Sequence, residues 1–194
     1  MGFTYPYPRP SVTVDVVFVA VHETPRLLLI RRAHEPFADH WALPGGFLDM
    51  DEELASAARR ELLEETAVKV RALAEVGVFG APGRDPRGRT ITVAYAALHV
   101  GEPPTARAGD DASGAEWWPL RRLPKLAFDH RLVVRRALEV LRERARHGDG
   151  LRGLLPRSIA ATGLAAVYDA LGMSDARALA RRVATKGAAK GGKR

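Results

Sequence analysis

The chain has 194 residues, 46% of them hydrophobic and 27% charged, which suits a globular protein with room for one domain of about 150 residues and a small appendage. It holds no cysteine, which excludes a disulfide framework and a thiolate metal site, and no apolar run approaches the roughly 20 residues that span a bilayer. The formal charge of +7 is unevenly spread: residues 151–194 carry nine Lys or Arg and two acids, while residues 1–150 carry 21 of each sign and are neutral.

The N-terminal stretch has no hydrophobic core of a signal peptide, so the expected compartment is the cytoplasm. Pro6, Pro8 and Pro10 each push the residue before them out of the helical region, so this stretch is expected to be extended. Residues 11–21 are rich in β-branched side chains and read as a buried strand. Residues 26–31 read as its partner across a turn at 22–25, and a loop over 33–40 then leads to Trp41-Ala42-Leu43-Pro44-Gly45-Gly46. The spacing predicts a helix over about 51–66, with Leu54, Ala57, Ala58 and Leu62 as its buried stripe and Asp49 or Asp51 as its N-cap. Residues 69–79 read as a strand or strand pair. Three Gly and two Pro make residues 80–89 a loop. A strand is predicted over 90–100, a polar loop over 101–114 and a short strand over 116–119, ended by Pro119. Residues 129–147 form an amphipathic helix with Leu132, Val133, Ala137, Val140 and Leu141 on one side. Beyond a linker at 147–150, two short helices are expected over 158–171 and 174–183, the second capped by Ser174. The Gly/Ala/Lys tail, 186–194, is expected to be disordered.

Three acids in the first long helix carry the chemistry. Glu61, Glu64 and Glu65 stand at i, i+3 and i+4, which places them on one helix face. Like charges at that spacing repel, so folding alone does not ask for them. A hard divalent cation does, because Mg²⁺ or Mn²⁺ takes oxygen ligands. Upstream, Gly45 and Gly46 leave the backbone open to a ligand.

From Gly46 onward the spacing is Gly, five residues, Glu52, seven residues, Arg60-Glu61-Leu62, one residue, Glu64-Glu65, Thr66, Ala67, Val68. This resembles the box of the Nudix hydrolases and matches it at every charged position. The departure is Ala67, where the family has Gly; if that position needs a positive φ, Ala is strained but no ligand is lost. The resemblance implies an α/β fold, an α/β/α sandwich on a mixed sheet, over residues 1–147. A small helical segment resembling a degenerate winged helix follows over 151–185, and then the basic tail. It also implies metal-assisted hydrolysis of a phosphoanhydride, with Glu61, Glu64, Glu65 and a Gly45 or Gly46 carbonyl holding Mg²⁺ or Mn²⁺, and Glu61 doubling as a candidate base. Arg60 and Glu52 either form a structural ion pair or orient the ligands. Asp110 and Asp111, and less so Glu116, either reach the metals or belong to solvated surface.

The loop with Arg84, Arg87 and Arg89 resembles the segment after the box in ADP-ribose pyrophosphatases, with Pro82 fourteen residues past Val68. Its arginines either pair with substrate phosphates or keep a long loop soluble. Trp41 either stacks on a base or ribose or packs in the core. His34, His40 and His130 show no partner in the sequence and are assigned to surface or helix-cap roles. The opening residues, the Trp41–Asp51 stretch and Leu126–His130 resemble more closely the Nudix-related transcriptional regulators of NAD metabolism, which pair an ADP-ribose-binding Nudix domain with a DNA-binding winged helix. On that reading Arg177, Arg181 and Arg182 contact DNA, although no strand-turn-strand signal for a wing follows Val183; the helix pair otherwise packs on the Nudix domain or assists dimerisation. The expected function is hydrolysis of ADP-ribose or a similar nucleoside diphosphate, the alternative an ADP-ribose-responsive DNA-binding regulator, and in either case a homodimer by resemblance.

Overall fold

The computed structural model describes residues 6–109, 112–147, 149–151, 153–156 and 158–180. Its centre is β1 (Ser11–Val21), whose residues from Thr13 onward are all buried. Alternation sends Val14, Val16 and Phe18 to one face and Val17, Val19 and Val21 to the other. A strand apolar on both faces must be covered on both, and the chain covers it with one helix on each side.

The sheet is mixed. β2 (Arg26–Arg32) returns antiparallel to β1, and β3 (Trp41–Ala42) extends β2 at the edge. β4 (Gly45–Phe47) pairs antiparallel with the start of β1, so that Asp15 faces Gly45 and Thr13 faces Phe47. After helix α1 (Leu54–Thr66) come β5 (Ala74–Phe79) and β6 (Thr90–Val100), the latter parallel to β1 along its whole length. β7 (Ala112–Pro119) pairs with β2. Helix α1 lays Ala57, Ala58 and Leu62 against Val14, Val16, Phe18 and Tyr95. Helix α2 (His130–Arg146) covers the opposite face with Val133, Ala137 and Leu141. Among the described residues no helix is long and apolar enough to cross a membrane.

Several expected boundaries shift for physical reasons. The N-cap of α1 is Glu53, without a side-chain hydrogen bond, because the chain turns before reaching the helix and leaves Asp49 and Asp51 too far upstream. Residues 69–73 are not strand; pairing starts where Ala74 meets Ala96. β7 begins within the expected loop, so the short strand is eight residues long. On α2, Leu132 is exposed and Val134 takes the buried place. Ala67 does adopt the left-handed conformation, φ 57°, and its N–H closes the helix on the Leu63 carbonyl.

Beyond α2 the chain folds back as a 3-10 turn, Asp149–Leu151, then α3 (Ala161–Ala170), with residues 176–180 again helical. Leu151, Leu155, Val167, Tyr168 and Leu171 are fully buried and belong to the same apolar cluster as β1, β2 and α2. The Arg142 Nε also donates to the Leu171 carbonyl. The expected tail, 186–194, lies outside the described residues.

Candidate functional site

The charged face of α1 is organised by Arg60. Its guanidinium donates to Glu52 at 2.8–3.2 Å, to Glu61 Oε1 at 2.8 Å, to Glu64 Oε2 at 3.1 Å and to the Phe47 carbonyl. One cation therefore spans three carboxylates and the β4 backbone. The Arg60 hydrogen bonds hold the Glu52 carboxyl below its usual range. Glu61 goes the other way: burial raises it, and Arg60 offsets this only in part. Glu65 reaches from the last turn of α1 to accept the Gly45 N–H at 2.8 Å. Burial, with the Glu61 and Asp15 charges adding, pushes Glu65 up to about 8 against the opposing effect of that hydrogen bond.

The two glycines fit this closeness. A Cβ on Gly46 would fall 2.5 Å from the Glu61 carboxylate, and one on Gly45 would fall 2.0 Å from the Val14 carbonyl oxygen. The first clash is with a side-chain tip and the second with the backbone of the central strand. Gly46→Ala is therefore expected to fold while displacing Glu61, and Gly45→Ala to unpair β4 from β1. Thermal melting of both variants, with turnover of the first, checks this; a Gly46→Ala protein of wild-type activity would separate Glu61 from the chemistry.

Glu61 and Glu65 open onto a cavity of about 410 Å³. Asp15, from the middle of β1, forms part of its floor. Behind Asp15 lie His130 Nε2 at 3.5 Å and the Arg84 guanidinium at 3.8 Å. His130 Nδ1 accepts the Leu43 N–H at 2.9 Å, so the ring proton belongs on Nε2, toward Asp15. Burial holds His130 below its usual range, hence neutral. Arg84 is buried and paired bidentately with Asp129 at 2.7 and 3.0 Å. Arg87 is clasped by the buried Asp85 at 2.7–3.2 Å and lies over Phe47 and Phe128. The cavity thus has carboxylates on one side and guanidinium groups with aromatic rings on the other.

The family profile described as NUDIX domain matches residues 9–137. The chain belongs to the Nudix family. An ADP-ribose pyrophosphatase of Methanocaldococcus jannaschii is 39% identical over 66% of this chain and 73% of its own length. The ADPR responsive transcriptional repressor NtrR of Acinetobacter baylyi is 34% identical over 84% of this chain and 67% of its own. Among solved structures, Shewanella oneidensis NrtR complexed with a 27mer DNA superposes with a TM-score of 0.67 at 30% identity, covering 90% of this chain and 82% of that one. With the family and the first relative together, the protein is a Nudix hydrolase.

Enzymes of this family use divalent cations, and the donor set here fits one. It is built of carboxylate oxygens, and Glu61 and Glu65 both hold protons more tightly than an ordinary carboxyl, a tension that a cation between them relieves. Among the described residues no three acids or histidines converge closely enough to enclose an ion as placed, because Glu64 is turned to Arg60 and is largely exposed. Glu61, Glu65 and, on release from Arg60, Glu64 are the side chains that would hold the ion.

The other sequence-predicted residues divide. Gly45, Gly46, Arg60, Arg84 and Arg87 line the Nudix cavity. Trp41 does not; it packs edge-on against Trp118 at 5.2 Å beside the core. Arg89 binds the Gly80 carbonyl and stays outside the cavity, and Glu116 lies exposed on β7 away from it. Asp110 and Asp111 lie outside the described residues, although the preceding Gly109 donates to the Glu65 carbonyl. Arg177 is exposed on the helical stretch 176–180, and Arg181 and Arg182 lie outside the described residues. The surface or helix-cap role expected for His130 is corrected: it is buried and faces Asp15. Asp15, Arg32, Asp85 and Phe128 were not singled out from the sequence. The one available signal was an acid, Asp15, in the middle of an apolar strand.

Proposed function

We propose that this Nudix hydrolase cleaves the pyrophosphate of ADP-ribose or a similar nucleoside diphosphate derivative with Mg²⁺ or Mn²⁺. The observation that carries the reading is the cavity itself, in which the Glu61 and Glu65 carboxylates face the guanidinium wall across a space of about 410 Å³. Such a space suits a small nucleotide, and opposed charge suits a diphosphate bridging cation and arginine. The similarity to an ADP-ribose pyrophosphatase over two thirds of the chain supports the same class of substrate.

When bound, the cation neutralises charge on the diphosphate and makes water a competent nucleophile near neutral pH. The chain's own groups do the remaining work. The Gly45 N–H fixes the Glu65 carboxylate, and Arg60 fixes Glu61 and Glu64. A Glu61 carboxylate oxygen takes the proton of the attacking water, whose oxygen bonds to phosphorus as the bridging P–O bond breaks. The products are AMP and ribose 5-phosphate. A panel of ADP-ribose, dGTP and a dinucleoside polyphosphate, assayed by product chromatography, tests the assignment. ADP-ribose should be turned over fastest; preference for dGTP would reject it.

A second reading rests on the basic C-terminal segment, which carries the chain's entire formal excess of +7, and on the 34% identity to a transcriptional repressor over 84% of the chain. On this reading the protein binds DNA through Arg177, Arg181 and Arg182, with ADP-ribose as effector and a homodimer as the binding unit. Replacing all three with Gln should weaken salt-dependent DNA binding at least tenfold and leave turnover unchanged. DNA affinity that survives the triple substitution removes these arginines from the interface.

A further inference from the structure

Three features of the cavity remain outside the carboxylate chemistry: the Arg84–Asp129 pair, the buried His130, and the side of the cavity that holds Arg32 and Arg87. The last carries an inference. Arg32, at the end of β2, is partly buried, and its Nε and Nη2 donate only to the carbonyls of Pro36 and His34, at 2.8 and 3.3 Å. No carboxylate pairs with it among the described residues. Its guanidinium lies 4.9 Å from the centre of the Phe128 ring, and that of Arg87 lies 5.6 Å from the same centre. One aromatic ring therefore serves as platform for two cations. Each is held by its own anchor, Arg32 by backbone carbonyls and Arg87 by the buried Asp85.

Two guanidinium groups brought together in a partly buried wall repel each other. Burial first, and then the Arg87 charge, lowers the proton affinity of Arg32, so the repulsion is felt at this site. Such an arrangement is stable without a ligand only because other contacts enforce it, and it is relieved by an anion lying between the two cations. Planar forks on a fixed platform match the non-bridging oxygens of phosphate.

We propose that Arg32 and Arg87, braced on Phe128, form a two-guanidinium clamp for the diphosphate of the substrate, on the side of the cavity opposite Glu61 and Glu65. This deepens the hydrolase reading and rests on it for the identity of the nucleotide, but not for the anion. In the same arrangement Arg84 is a positioning residue, since its bidentate bond to Asp129 leaves it no fork for a phosphate and ties the Arg87 loop to the start of α2.

Inorganic pyrophosphate is the probe, with orthophosphate for comparison, titrated calorimetrically into the full chain at fixed Mg²⁺. Pyrophosphate should bind the wild-type protein, and Arg32→Met and Arg87→Met should each weaken it at least tenfold. Arg32→Lys should recover part of the loss and guards against a folding defect. Arg136→Met, which removes the same charge from the exposed face of α2, should have no effect. Pyrophosphate affinity unchanged in both Met variants, lost equally in Arg136→Met, or absent from the wild type would overturn the clamp. ADP-ribose turnover is measured separately. Arginine-dependent pyrophosphate binding without turnover would sink the hydrolase reading and spare the clamp, and turnover with arginine-independent binding would do the reverse.

Discussion

Glu65→Gln should lower ADP-ribose turnover by a factor of roughly 10²–10³, the scale at which a preorganised charge contributes to a reaction of this kind. The amide oxygen can still accept the Gly45 N–H, so β4 and α1 should stay in place. A second effect of the same change has the opposite sign. With its folded-state value near 8, against 4.5 for an ordinary glutamate, the Glu65 carboxyl binds its proton more tightly folded than unfolded. Between those two values the native state holds more protons than the unfolded chain, so this group lowers stability as pH rises from about 5 to 8. In EDTA the wild-type melting temperature should therefore fall over that window more than that of Glu65→Gln. Parallel melting curves for the two proteins would show that Glu65 is not desolvated, and wild-type turnover would remove it from the cation site.

Tyr168→Ala should lower the melting temperature by roughly 10 °C, since emptying a fully buried aromatic site costs about 3–5 kcal/mol. Deleting residues 151–194 should go further and leave the remainder insoluble or unfolded. Leu151, Leu155, Val167, Tyr168 and Leu171 would all be lost from the cluster that includes Val17, Leu27 and Leu141. The basic C-terminal segment thus cannot be removed merely to ask what it binds. Substitution of its exposed arginines is the informative experiment, because it changes charge without uncovering the core. A truncated protein that melts like the full chain would mean that the C-terminal helix only rests on the sheet and contributes nothing to its stability.

Much of the fold was legible because its signals are local. β1 and β6 are eleven-residue runs of β-branched and small side chains, and their ends fall where the sequence places them. The carboxylate face of α1 follows from helical spacing alone, and so does the strained position of Ala67, which the chain adopts without glycine. What escaped depends on contacts between distant residues. His130 looks idle until folding carries it 87 residues back to the Leu43 N–H. Arg84 reads as a solvated loop residue because Asp129 is 45 positions away, and only the fold buries the two together. Arg32 resembles its exposed neighbour Arg31, which pairs with Asp39 at the surface; a register shift between β2 and β7 falls between the two. Trp41 illustrates the converse. Its place beside the box suggested a ligand, but alternation along β3 turns it toward Trp118.

The most direct test of the central claim is the steady-state turnover of ADP-ribose by the purified full chain with and without Mg²⁺ or Mn²⁺, following AMP and ribose 5-phosphate. Turnover that requires the cation and collapses in Glu61→Gln and Glu65→Gln is the predicted result. Turnover that persists in EDTA, or that both variants retain, would contradict a carboxylate-held cation as the catalytic centre.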